Sequence, residues 1–182
     1  MRGRGVHSVS LLMFVISLCF SSCEEKIRPS VLPGLDSKAL PQQESWNSEI
    51  VLSDSGKLKA IVHAGYIRKF DFPREILLSE KVTVFFYGEL GKRTSVLTAK
   101  EGKVDELTNN LDAYGNVVVV SEDSTRLQTE TLYWDNKRQM IHTPEYVLIT
   151  SPKEKVQGRG FESDQQLRNY RIFKATGEAR TD

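Results

Sequence analysis

The sequence predicts an all-β protein of antiparallel strands. Three observations carry that reading. Apolar residues fall in short β-branched runs, turn-forming residues separate the runs, and no window keeps a helical apolar period over three turns. The chain of 182 residues is 39% hydrophobic and 9% aromatic, enough for one domain with a packed core and too apolar for intrinsic disorder.

In chain order, Arg2, Arg4 and His7 precede the apolar run Leu11 to Phe20, which is short for a bilayer crossing and reads as the core of a secretory signal peptide, residues 1–22. Ser21-Ser22-Cys23 follows and resembles a bacterial lipobox, in which the cysteine is acylated and becomes the new N-terminus, although Phe20 stands where an aliphatic residue is usual. Cys23 is therefore the expected lipid anchor, holding the protein at a membrane. Pro29, Pro33 and Pro41, set among polar residues, mark residues 23–45 as the acylated cysteine and an extended tether. From Trp46 to residue 182 the pattern is β. Strand-like runs occur at Glu49–Leu52, Leu58–Val62, Ile76–Phe86, Ser95–Thr98, Val117–Val120, Tyr146–Thr150 and Arg171–Phe173. Asp54-Ser55-Gly56, Gly88, Gly91, Asn109-Asn110, Gly115-Asn116, Asp135-Asn136 and Pro152 bound them. Residues 100–112 have a helical composition that Gly102 and Asn109-Asn110 break.

Formal charge is +1, and loss of residues 1–22 removes Arg2 and Arg4 from the 25 basic groups, leaving 23 against 24 acidic. No basic field for nucleic acid results. Cys19 and Cys23 both lie near the start, so the β region has neither a disulfide framework nor a cysteine-based zinc site. His63 and His142 follow them without any metal, nucleophile or nucleotide motif, which points away from an enzyme and from any cofactor.

A weak repeat runs through the β region. Leu97-Thr98-Ala99, Leu127-Gln128-Thr129 and Val156-Gln157-Gly158 recur about every thirty residues, and second apolar positions follow at Leu111, Ile141 and Ile172. The unit is strand–turn–strand, and Leu58-Lys59-Ala60 matches its first half. Units of this size must stack to bury their apolar faces.

With these units, a secretion signal, an anchor and a short linker, the chain resembles the LptC family of lipopolysaccharide export proteins and its OstA-like relatives. The most specific pieces are Tyr114-Gly115-Asn116-Val117, read as a hairpin end, and Val156–Phe161 followed by Ile172. The resemblance implies a twisted open β-jellyroll of two facing antiparallel sheets. It implies transport of lipopolysaccharide across the periplasm, with acyl chains in the groove between the sheets. Its partners would be an inner-membrane ABC exporter at the N-terminal edge, near Ile50, Leu52 and Leu58, and a periplasmic OstA-like bridge protein at the C-terminal edge, around Arg171 to Ala179. The expected location is the periplasmic side of a bacterial membrane, the inner one.

Side chains alternate between the faces of a strand, so alternation nominates the groove lining. The candidates are Leu58 and Ala60; Val82, Val84 and Phe86; Leu97 and Ala99; Val117 and Val119; Leu132 and Trp134; Val147 and Ile149; Phe161 and Ile172. Ala60, Ala99 and Gly158 could leave space for chains, and glycine or alanine also marks bulges and close strand approach. Lys153, Lys155, Arg159, Arg168 and Arg171 read better as a solvated face than as phosphate ligands. A surface lipoprotein that binds glycan, or a structural β-sandwich, is the alternative. Outward aromatic rows would favour it, and inward aromatics favour lipid.

Overall fold

A computed structural model describes residues 40–176 of the chain. Every regular element among them is a strand: β1 (Gln43–Asp54), β2 (Lys57–Phe70), β3 (Glu75–Ser79), β4 (Val82–Tyr87), β5 (Arg93–Ala99), β6 (Glu101–Asp105), β7 (Leu111–Ser121), β8 (Arg126–Asp135), β9 (Met140–Thr150), β10 (Lys155–Asp164) and β11 (Tyr170–Ala175). All pairings are antiparallel. The expected all-β class and jellyroll layering are both present. β1 begins ahead of the Trp46 boundary, and Cys23 lies outside the described residues.

The topology is a meander in which nearly every pass of the chain bends once. Ala60–His63 of β2 pairs with β4, whereas Tyr66–Phe70 of the same strand pairs with β3. Leu111–Tyr114 of β7 likewise meets β6, and Val118–Ser121 meets β5. β3 and β4 are thus one broken pass, as are β5 and β6. The 11-stranded sheet folds along this line of bends into two layers, joined at a corner, with the mouth on the opposite side. Register shifts in β7, β8, β9 and β10 mark the corner in the later passes.

Local chemistry explains the bends. Glu80 and Lys81, at φ of 60° and 68°, turn the chain between β3 and β4. Gly65 donates its N–H to the Glu80 carbonyl at 2.9 Å, and a Cβ on Gly65 would lie 2.5 Å from that oxygen. Only a glycine lets β2 pass so close. On the other long strand, Gly115 and Asn116 have φ of 77° and 51°, and Lys100 donates its N–H to the Tyr114 and Gly115 carbonyls, each at 3.1 Å. The Tyr114–Val117 segment is therefore a bulge within β7 and not the expected hairpin end. The run Ile76–Phe86, read as one strand, is one pass divided between the layers.

Two apolar rungs organise the core. In one layer Ile50, Val62, Val84, Leu97, Val119, Leu127, Ile149 and Val156 stand opposite one another from β1 to β10. The repeat positions Leu97, Leu127 and Val156 thus share a level. Val62, not Leu58, is their counterpart in β2, because Leu58 pairs near the β1–β2 turn with Ser53. In the other layer the rung runs Ile76, Val104, Leu111, Trp134, Ile141, Ser163 and Tyr170.

Candidate functional site

The interior between the layers receives the nominated side chains. Ala60, Val82, Val84, Phe86, Leu97, Val147 and Ile149 are fully buried, and Val117, Val119, Leu132, Trp134 and Phe161 are nearly so. Ala99 is buried at 8% exposure, while Leu58 and Ile172 are half-buried at opposite ends of the sheet. Val62, Leu78, Leu111, Ala113, Leu127 and Ile141 belong to the same interior. Alternation carried through Glu80-Lys81 and Gly115-Asn116 would have found Leu78, Leu111 and Ala113.

The layers touch. The Phe86 and Trp134 rings, from different layers, meet edge to face with centroids 5.2 Å apart. Gly158 leaves no room for a chain: a Cβ there would lie 2.4 Å from the Lys174 carbonyl oxygen, so this glycine serves close approach of β11. The interior is thus filled by its own side chains. Separation of the layers is required before anything else occupies it.

Several groups hold the mouth shut near the C-terminal edge. The β10–β11 loop turns Leu167 into the core at 3% exposure, with φ of 58°. Gln165, in the same loop, donates to Gln139 of the β8–β9 loop at 3.0 Å, which ties two loops of one rim together rather than bridging the mouth. Tyr170 donates its hydroxyl to Glu154, in the loop between β9 and β10, linking the mouth end of β11 to the facing rim. Burial, then the Glu154 carboxylate, pushes the Tyr170 hydroxyl pKa up to about 12. On the opposite rim the Ser121 hydroxyl and the Thr125 N–H hold the Asp123 carboxyl below its usual range, with Arg168 adding a smaller pull from the β10–β11 loop.

Outside the layers, Tyr133 and His142 stack with centroids 5.5 Å apart and Tyr114 meets Tyr133 at 6.5 Å, a short aromatic row on an outer face. A cavity of about 710 Å³ opens beside it at the bend, lined by Pro144, Arg159, Phe173 and Lys174 among others. Lys153, Lys155, Arg159, Arg168 and Arg171 are exposed, and Arg171 lies over the Phe173 ring. His63 sits 3.3 Å from Glu49, apart from the Tyr133–His142 stack, and the described residues contain no group of three or more metal-ligating side chains. No helix among them is long and apolar enough to cross a membrane.

The sheet ends in two edge strands. Among the described residues β1 pairs only with β2, and β11 only with β10. Comparison with protein families matches residues 11–176 to the lipopolysaccharide-assembly, LptC-related family. The chain belongs to that family. LptC-related proteins act in lipopolysaccharide transport, within the Lpt complex, at the periplasm-facing side of the bacterial envelope, and theirs is a transport rather than an enzymatic family. A search of curated proteins finds no match.

Proposed function

We propose that this LptC-related protein carries the acyl chains of lipopolysaccharide between its two layers, receiving the lipid from an inner-membrane ABC exporter at β1 and passing it to an OstA-like bridge protein at β11. The observation that carries this reading is the first of the two rungs, an apolar line from Ile50 to Val156 that crosses the sheet from one edge toward the other. Each methylene left in water costs roughly 0.8 kcal/mol, so a lipid with several chains needs a continuous apolar path. Inward Phe86, Trp134 and Phe161 fit lipid better than glycan, although outward aromatics are present too, in the Tyr114–Tyr133–His142 row and in exposed Trp46 stacked on Tyr66. The lining is the nominated set: Leu58, Ala60, Val82, Val84, Phe86, Leu97, Ala99, Val117, Val119, Leu132, Trp134, Val147, Ile149, Phe161 and Ile172. Acylated Cys23 tethers the domain to the membrane.

The exposed edge strands supply main-chain groups for partner strands. Site-specific photocrosslinking in cells tests the path. Lipopolysaccharide adducts are expected from Val84, Val119 and Ile149, and not from their outward neighbours Thr83, Val118 and Leu148. Equal adducts from both sets, or none from the inward set, would overturn it. Palmitate labelling of the same cells tests the anchor, and label retained in Cys23→Ala would remove it.

A further inference from the structure

Most polar groups buried near the mouth have partners. Thr94 donates to the Phe86 carbonyl at 3.3 Å, Ser121 to the Thr125 carbonyl at 3.1 Å, Asn136 to the Thr108 carbonyl at 3.2 Å, and Gln165 to Gln139. Three interior groups do not. Among the described residues the Ser95 hydroxyl, the Trp134 indole nitrogen and the Ser163 hydroxyl are buried without a hydrogen-bond partner, on side chains 2%, 1% and 0% exposed. A buried donor left unmade costs about 1–3 kcal/mol, and native structures hold few of them.

Their placement is not scattered. Ser95 stands opposite Phe86, and Phe86 touches Trp134 across the layers. Ser163 shares the rung of Trp134, with Ile141 between them. Ser95 lies near the mouth end of β5, Trp134 near that of β8, and Ser163 near that of β10. Toward the corner most inward positions are apolar, among them Val82, Ala99, Val117, Leu132 and Val147, and the two buried threonines there are partnered: Thr129 donates to the Tyr146 carbonyl at 2.9 Å, and Thr143 accepts from the Glu145 N–H at 3.1 Å. Toward the rim they turn polar, with Thr94, Ser121, Thr125, Asn136 and Gln165. From corner to rim the order is hydrocarbon, isolated donors, polar margin. An acylated lipid has the same order: chain, carbonyl linkage, headgroup.

We propose that Ser95, Trp134 and Ser163 form a subsite for the ester and amide carbonyls of the bound lipid, fixing how deep its chains sit. The inference rests on the groove reading above. All three groups can donate, and carbonyl oxygens accept. In the closed protein the donors are unsatisfied, and the lipid satisfies them as the layers part. The donors thereby favour the lipid-bound arrangement over the closed one.

The test uses the full chain and two fluorescent probes. One is lipid A, whose chains are ester- and amide-linked. The other is an ether-linked disaccharide of matched chain length, which keeps phosphates and chains and lacks the carbonyls. Ser95→Ala and Ser163→Ala are expected to weaken lipid A binding by about three- to tenfold each, the scale of one lost hydrogen bond, with ether-analogue binding unchanged. Their melting temperatures should stay level or rise, since each substitution removes an orphan hydroxyl. Trp134→Phe also trims a ring of the chain lining, so it should weaken both probes, and lipid A more than the ether analogue. Equal losses for both probes, or no loss for lipid A, would overturn the subsite and leave the groove standing. A wild-type protein that binds neither probe would overturn both.

Discussion

Replacing Gly65 by alanine tests the bend that makes two layers from one sheet. The new Cβ would meet the Glu80 carbonyl oxygen at 2.5 Å and the Glu80 Cβ at 2.7 Å, where ordinary contact begins near 3.4 Å. Glu80 cannot retreat freely, because it and Lys81 already occupy left-handed backbone in the turn. The strands must separate by most of an ångström, at about 1–3 kcal/mol for overpacking. The Gly65 N–H bond to Glu80 stretches with them, adding about 1 kcal/mol. Reduced freedom of the unfolded chain returns about 0.4–1 kcal/mol, so the expected net loss is about 1–3.5 kcal/mol, centred on about 2 kcal/mol. Gly56→Ala is the control. Gly56 also sits in a turn, with φ of 76°, but open space surrounds the site where its Cβ would be built, so only the left-handed backbone cost of about 1–2 kcal/mol opposes alanine there, less the same unfolded-chain gain. Urea unfolding of both variants gives the comparison. A Gly65→Ala protein as stable as Gly56→Ala, or more stable than wild type, would refute the close crossing at Glu80.

Two further outcomes follow from the edge and from the tyrosines. Thr176 donates its N–H to the Gln157 carbonyl at 2.9 Å. Antiparallel alternation from that bond directs the Ile172 N–H toward β10 and the Arg171 N–H toward the open edge. Proline at Arg171 should therefore weaken capture of the bridge protein with little loss of folding, whereas proline at Ile172 should damage both, and unchanged capture by Arg171→Pro would sink the edge assignment. Tyr114 and Tyr170 both have hydroxyl pKa values raised to about 12, chiefly by burial, and next by Asp112 and Glu154 respectively. A raised folded pKa stabilises the neutral phenol, so their contribution is complete below the ordinary value of 10 and is lost as pH rises toward 12. Unfolding midpoints measured at about pH 9 and about pH 11.5 should fall more steeply for wild type than for Tyr114→Phe/Tyr170→Phe, and parallel slopes would contradict this.

The strands and their inward faces were legible because alternation is local. Val82, Val84 and Phe86, or Val147 and Ile149, reveal their parity within five residues. The bends were not legible. Gly115-Asn116 has the left-handed backbone that serves equally in a hairpin turn and in a bulge, and only the long-range pairing of Leu111–Tyr114 with β6 decides for the bulge. The same ambiguity hid Leu111 and Ala113 from the lining, and Glu80-Lys81 hid Leu78. Leu58 matches the repeat by residue type, but the register at Val62 is set by β4, which no local signal announces. The Trp134, Ser95 and Ser163 donors show their lack of partners only once both layers are assembled.

The central claim is that a closed, side-chain-filled interior opens between its layers to take acyl chains. Nitroxide side chains at the exposed rim positions Glu122, between β7 and β8, and Lys137, between β8 and β9, report the width of the mouth by pulsed electron resonance. On saturation with lipopolysaccharide the account expects the distance distribution to move outward by several ångströms, since the sheets must part by about the thickness of an inserted chain. Stoichiometric lipid binding with an unchanged distance would contradict it, because the lipid would then be held somewhere other than between the layers.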